Sequence, residues 1–211
     1  MKSVVLILVL CAGLLGIQKV LEHRSMGADR EGERNAHFRI VNPAELGPTR
    51  AEAIYQSIRQ SMAARYGESG DPLTDTYQGW ARINRFPYRS VAHGGLFVNN
   101  YANSAGGELY AARSRATPFP QESIIVKDSF MVTRDGQVLT GPLYIIEKLS
   151  PGASIETGDW RFLEIEPDGS LIGAAPGDRR THFCAGCHVK PSGAVAPFFF
   201  VPRGIEAGEN E

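Results

Sequence analysis

The chain is predicted to fold as an α+β domain, an antiparallel β-sheet flanked by helices, with a cysteine-containing peptide on a short C-terminal helix. Two observations predict it. One long stretch near residue 50 has helical spacing, and from about residue 96 onward β-branched and aromatic runs alternate with turn residues. The helix is expected from a Thr49 cap to about Tyr66, with Ile54, Tyr55, Ile58 and Met62 on one side and Gly67 as its stop. Leu96 to Val98, extending toward Tyr101, reads as a strand. Ser123-Ile-Ile-Val-Lys-Asp-Ser-Phe-Met-Val132 is a second, followed by an Asp135-Gly136 turn. Leu143 to Leu149 and Trp160 to Ile165 are further strands, the last closed by Pro167-Asp168-Gly169. No internal repeat or low-complexity tract interrupts this order.

The ends of the chain read differently. Lys2 precedes an uncharged apolar run from Ser3 to Ile17, then Lys19, Glu22, His23 and Arg24. Residues 1–24 are therefore expected to be a signal peptide or an N-terminal membrane anchor, the run being shorter than the roughly 20 residues of a comfortable span. Cys11 lies within it after Leu10, unlike a lipoprotein site, and reads as a small apolar residue. Residues 25–47 are a polar lead-in with Gly27, Gly32, Pro43 and Gly47; 48–205 form the folded domain, and 206–211 a tail. A net charge of −1 gives no indication of a nucleic-acid partner.

Cys184-Ala-Gly-Cys187-His188 carries the chemistry. It reads C-x-x-C-H, the c-type haem attachment sequence, in a chain with three cysteines. Two thiols one helical turn apart can both add to the vinyl groups of one macrocycle edge, and the adjacent His188 can then give an imidazole nitrogen to the iron. One covalently bound haem c is expected, held by Cys184, Cys187 and His188, with His188 as the metal ligand. The alternatives are half a zinc site that adds His182 and a C-x-x-C redox pair. Haem is attached this way outside the bacterial inner membrane, so the export segment agrees and places the protein in the periplasm, soluble or anchored. The tail after His188 has no methionine, which excludes the small cytochromes that take a downstream Met ligand. A four-helix-bundle cytochrome also carries C-x-x-C-H near its C-terminus, but the β-rich second half argues against a bundle.

From about His93 to Pro202 the chain resembles the cytochrome P-460 family, periplasmic c-type haem proteins related to cytochrome c′-beta. The resemblance rests on His93-Gly94, Val98-Asn-Asn-Tyr-Ala-Asn103 and Ser123-Ile-Ile-Val-Lys127-Asp-Ser-Phe130. It continues through Gly141-Pro-Leu-Tyr-Ile-Ile-Glu147-Lys148, Gly158-Asp-Trp-Arg161, Pro167-Asp-Gly169 and Phe183-Cys-Ala-Gly-Cys-His188. It implies an antiparallel sheet with helices, usually as a homodimer. It also implies that Lys127 is cross-linked through its amine to a haem meso carbon, and that Glu147 is the carboxylate over the distal face that takes protons from substrate. Lys127 points to the face opposite Val126 and Asp128, and burial against a macrocycle would favour its neutral, nucleophilic form. The ordinary alternatives are a surface Lys127 paired with Asp128 or Glu122, and a Glu147 neutralised by Lys148.

His93, His182 and Met131 are candidate sixth ligands, although the family leaves that position to water or substrate. Tyr101, Phe130, Tyr144, Trp160 and Phe162 are expected in the core or the haem wall. Arg161 is a candidate partner for a haem propionate, and Phe198 to Val201 is expected to pack in the core. An acidic residue that the family often has before that run is replaced by Ala194, Val195 and Ala196. Three functions fit. The leading one is oxidation of hydroxylamine to N2O or NO at an open haem, passing electrons to a redox partner protein. The others are NO or CO binding without turnover, and electron transfer through a six-coordinate iron.

Overall fold

Helix α1 (Pro48–Gly67) starts on a proline, whose missing N–H costs nothing in the first turn and whose fixed φ suits the helix. Gly47 occupies the cap position and Thr49 lies inside the helix, so the expected threonine cap is not used. Ala51, Tyr55, Met62 and Tyr66 form its buried stripe. A computed structural model describes residues 43–114, 118–173, 179–189 and 200–205. The N-terminal segment 1–24 with Cys11, the lead-in before Pro43, Ala194 to Ala196, Phe198 and the tail 206–211 lie outside the described residues.

After α1 the chain is β-rich. The strands are β1 (Ala81–Arg82), β2 (Tyr88–Ser90), β3 (Leu96–Ala102), β4 (Ile124–Val132), β5 (Val138–Thr140), β6 (Leu143–Lys148), β7 (Trp160–Ile165) and β8 (Leu171–Ile172). They form one antiparallel sheet among the described residues, in the order β1-β3-β4-β6-β7-β8, with β2 beside β3 and β5 folded back on β4. Two short helices, α2 (Gly107–Ala111) and α3 (His182–His188), complete the α+β fold expected from the sequence. Asp135-Gly136 makes the turn between β4 and β5, and Pro167-Asp168-Gly169 the one between β7 and β8; both glycines have positive φ (87° and 79°). No helix among the described residues is long and apolar enough to cross a membrane.

Both faces of the central strands are buried, so β3, β4, β6 and β7 lack a polar side, and only their pairing assigns each residue to a face. On one face Phe97, Tyr101, Val126, Phe130, Leu143, Ile145, Leu163 and Ile165 pack under α1. Asp128 lies among them, fully buried, and is held by three donors. Tyr55 Oη donates to Oδ2 at 2.7 Å, Tyr77 Oη to the same oxygen at 3.2 Å, and Asn99 Nδ2 to Oδ1 at 3.0 Å. Tyr55 and Tyr101 also share a hydroxyl–hydroxyl contact. Burial raises the Asp128 carboxyl to about 6, against the lowering effect of these bonds.

The opposite face is covered by a second cluster that includes Tyr110, Phe119, Ile125, Ile146, Trp160, Phe162, Phe200 and Val201, with Cys184 and Ala185 of α3 against it. Phe200 meets Tyr110 with ring centres 5.6 Å apart, so the described end of the apolar C-terminal run is core. Asp128→Ala strands two tyrosine hydroxyls and one amide inside the first face. It should lower unfolding free energy by about 3 kcal/mol in urea denaturation, with Asp128→Asn recovering more than half. Equal stability of the alanine variant and wild type would remove the network from the fold's support.

Candidate functional site

Antiparallel pairing builds the site across four strands. Asn100 of β3 stands beside Lys127 of β4, Lys127 beside Tyr144 of β6, and Tyr144 beside Glu164 of β7. Paired residues share a face, so these four side chains form a transverse row on the face that α3 approaches. Lys127 is 8 % exposed, and burial lowers its amine to about 8, so a neutral fraction exists near neutral pH. The surface pairing of Lys127 with Asp128 does not occur, because strand alternation turns Asp128 to the other face.

Two imidazoles stand over this row. His188, the last residue of α3, is 8 % exposed and its ring lies 6.0 Å from that of Phe162. His93 ends a one-turn 3-10 helix (Val91–His93), and Gly94 and Gly95, at φ 66° and 79°, return the chain to β3. The His93 ring is 4.7 Å from Tyr144 and 6.1 Å from His188. Burial, then the Lys127 charge, lowers His188 to about 3. Burial, then Lys127, then His188, lowers His93 to about 2. Both rings are therefore neutral at physiological pH, the state in which an imidazole can bind a metal. The Lys127 charge acts on both.

Glu147 is not on this face. Its partners in register are Ile124 and Arg161, on the α1 side, and it forms an ion pair with Arg161 at 2.6 Å. The distal carboxylate expected at Glu147 is thus corrected: the run Leu143-Tyr-Ile-Ile-Glu alternates, and an odd number of steps separates Glu147 from Tyr144. Arg161 is committed to the same pair, away from the Lys127 face. Lys148 does not neutralise Glu147; its ammonium donates to the Gly158 carbonyl at 2.5 Å and covers Trp160. Tyr101 and Phe130 are core residues under α1, whereas Tyr144, Trp160 and Phe162 line the Lys127 face. Met131 shares Lys127's face but lies about 13 Å along the strand. His182 opens α3.

The carboxyl on the site face is Glu164, which sequence reasoning passed over. It is 2 % exposed, its Oε1 has no hydrogen-bond partner, and its charge is felt by Tyr144 and Cys184. Burial, then the hydrogen-bonded Glu166 carboxyl beside it, raises Glu164 to about 7. A signal was present in Trp160-Arg-Phe-Leu-Glu164, where the acid falls in phase with two aromatics.

The donor set can be tested against each cofactor. Cys184 and Cys187 are not joined to each other, and Cys184 is pushed up to about 12 by burial and by Glu164. A redox C-x-x-C pair needs a thiol lowered toward neutrality, and Cys184 moves the other way. Among the described residues no group of three or more His, Cys, Asp or Glu side chains is placed to hold a metal ion as a cage. A haem of c type asks for less: two thiols on one helical turn, one neutral buried imidazole and an apolar wall. Cys184, Cys187, His188 and the Phe162, Ile146 and Trp160 wall meet those requirements.

No family model matches the chain, and no curated protein matches it.

Glu164 gives a pH test. Its folded pKa is raised from 4.5 to about 7, so the stability it lends as a neutral acid is present below about 4.5 and is lost as pH rises through about 7. Glu164→Gln cannot ionise and should gain on wild type by roughly 3 kcal/mol between pH 4.5 and pH 8 in urea unfolding. Parallel curves for the two proteins would mean that the carboxyl is not desolvated.

Proposed function

We propose that the protein is a periplasmic mono-haem c-type cytochrome of the P-460 kind that oxidises hydroxylamine. The observation that carries this reading is the convergence of Lys127 and two neutral imidazoles on the face against which the C-x-x-C-H helix packs. Haem supplies a redox iron that draws electrons from a small bound molecule. Cys184 and Cys187 would hold the macrocycle by thioether bonds, and His188 would give a nitrogen to the iron. Lys127, buried and partly neutral, would be the amine that the resemblance implies is joined to a macrocycle edge, which would fix the ring's orientation on the sheet.

Oxidation of hydroxylamine releases protons with the electrons, and a base must stand nearby. With Glu147 on the other face, the groups left to accept a proton there are His93, whose low pKa makes it a weak base, and Glu164, whose carboxyl at about 7 suits that role better. Tyr144 and Phe162 exclude water from the sheet side. The electrons leave to a redox partner protein, and the resemblance implies a homodimer. A second reading, an electron carrier with six-coordinate iron, is favoured by one observation, the facing of His93 and His188.

Protein matured with a c-haem assembly system should carry one covalent haem with a broad, strongly red-shifted ferrous Soret band. Lys127→Ala should show an ordinary c-type spectrum and lose about tenfold or more in hydroxylamine turnover. An ordinary spectrum in both proteins would sink the lysine link and favour gas binding. Failure of both to retain covalent haem would sink the cytochrome reading itself.

A further inference from the structure

His93 is anchored in a way that a proton acceptor alone does not require. Its Nδ1 is 2.7 Å from Ser90 Oγ, a hydroxyl on a residue only 8 % exposed. With the proton on Nδ1 donated to that hydroxyl, Nε2 keeps its lone pair and the ring cannot turn without losing the bond. Metal-ligating histidines are held in this manner, through the nitrogen remote from the metal. The backbone bond from Gly95 N to Ser90 O, at 2.8 Å, closes the same turn and fixes where the ring stands.

The spacing fits as well. Two imidazoles on opposite sides of one metal have ring centres about 6.2 Å apart, from two metal–nitrogen bonds of about 2.0 Å and two ring radii of about 1.1 Å. The His93 and His188 centres are 6.1 Å apart. Lys127 belongs to the same face, and its charge acts on both rings. Phe162 is equally near His188 but offers no donor.

The anchors of the two imidazoles are unequal. His188 follows Cys187 directly and is buried at the end of α3. His93 sits half-buried in a surface turn whose neighbours contribute nothing to the core: Val91 is 92 % exposed, and Ala92 and Gly94 are exposed. A ligand on such a turn can be exchanged at little cost to the fold.

We propose that His93 is an exchangeable sixth ligand, bound through Nε2 opposite His188 in the resting protein and displaced when a small molecule takes its place. This rests on the haem reading above.

The test compares ferric wild type, His93→Ala, His93→Gly and Ser90→Ala, each with covalent haem verified by the pyridine haemochrome. Wild type should be low-spin by electron paramagnetic resonance and optical spectra. His93→Ala and His93→Gly should be high-spin, and added imidazole should return His93→Gly to low spin. Ser90→Ala should give a mixture. Nitric oxide should bind His93→Ala about tenfold or more tightly than wild type, since no internal ligand competes. A high-spin wild type, or a low-spin spectrum unchanged in His93→Ala, would overturn the proposal while leaving the haem reading standing. Variants and wild type that all lack covalent haem would overturn that reading instead.

Discussion

Strand β4 places two buried ionisable residues back to back, and the rest of the fold is arranged around that fact. Lys127 and Asp128 are adjacent, so strand alternation sends one to each side of the sheet, and each side is covered. An isolated buried charge is expensive, and two solutions are used. Asp128 is surrounded by donors from α1, the turn after it, and β3. Lys127 is pushed toward its neutral form. The pair cannot neutralise itself, because the sheet stands between the two side chains.

The two faces consequently differ in character. Under α1 the polar groups answer one another: Tyr55, Tyr77 and Asn99 converge on Asp128, and Tyr66 donates to the Gly141 carbonyl at 2.8 Å. Such a network is a structural element, since removing any member leaves the others stranded. On the Lys127 face, Oε1 of Glu164 and Oδ1 of Asn100 are buried with no hydrogen-bond partner. Burial shifts the Lys127 amine, the Glu164 carboxyl and the His188 imidazole on this face toward their neutral forms. A face that holds several buried ionisable groups near their uncharged forms suits chemistry on a bound group better than it suits stability.

Much of this was legible in the sequence. The four central strands were readable because β-branched and aromatic residues run between turn signals, and α1 because Tyr55, Ile58 and Met62 recur at helical spacing. The two-residue strands β1 and β8 were not, since their existence depends on partners 19 to 21 and 6 to 8 residues away rather than on their own composition. The face of each residue was harder still. In a strand buried on both sides the hydrophobic pattern no longer marks inside from outside, so Glu147 and Glu164 look alike until the register to Lys127 is known. His93 was visible as a candidate, but its nearness to His188 depends on the Gly94-Gly95 turn and on the packing of α3, neither of which a local pattern encodes.

The inequality of the two imidazoles then bears on function. A sixth ligand held as firmly as His188 would favour a carrier, because electron transfer wants a coordination sphere that does not change. A sixth position with no protein ligand would favour a reactive site open to any small molecule. His93 lies between these limits, held by the Ser90 hydroxyl and the Tyr144 ring on a turn whose Val91, Ala92 and Gly94 are exposed. Were His93 the sixth ligand, as proposed, the apparent affinity for an incoming molecule would be reduced by the fraction of time that His93 is bound. Selectivity would follow from this competition: weak ligands such as water would lose to the imidazole, whereas molecules that bind iron strongly would displace it.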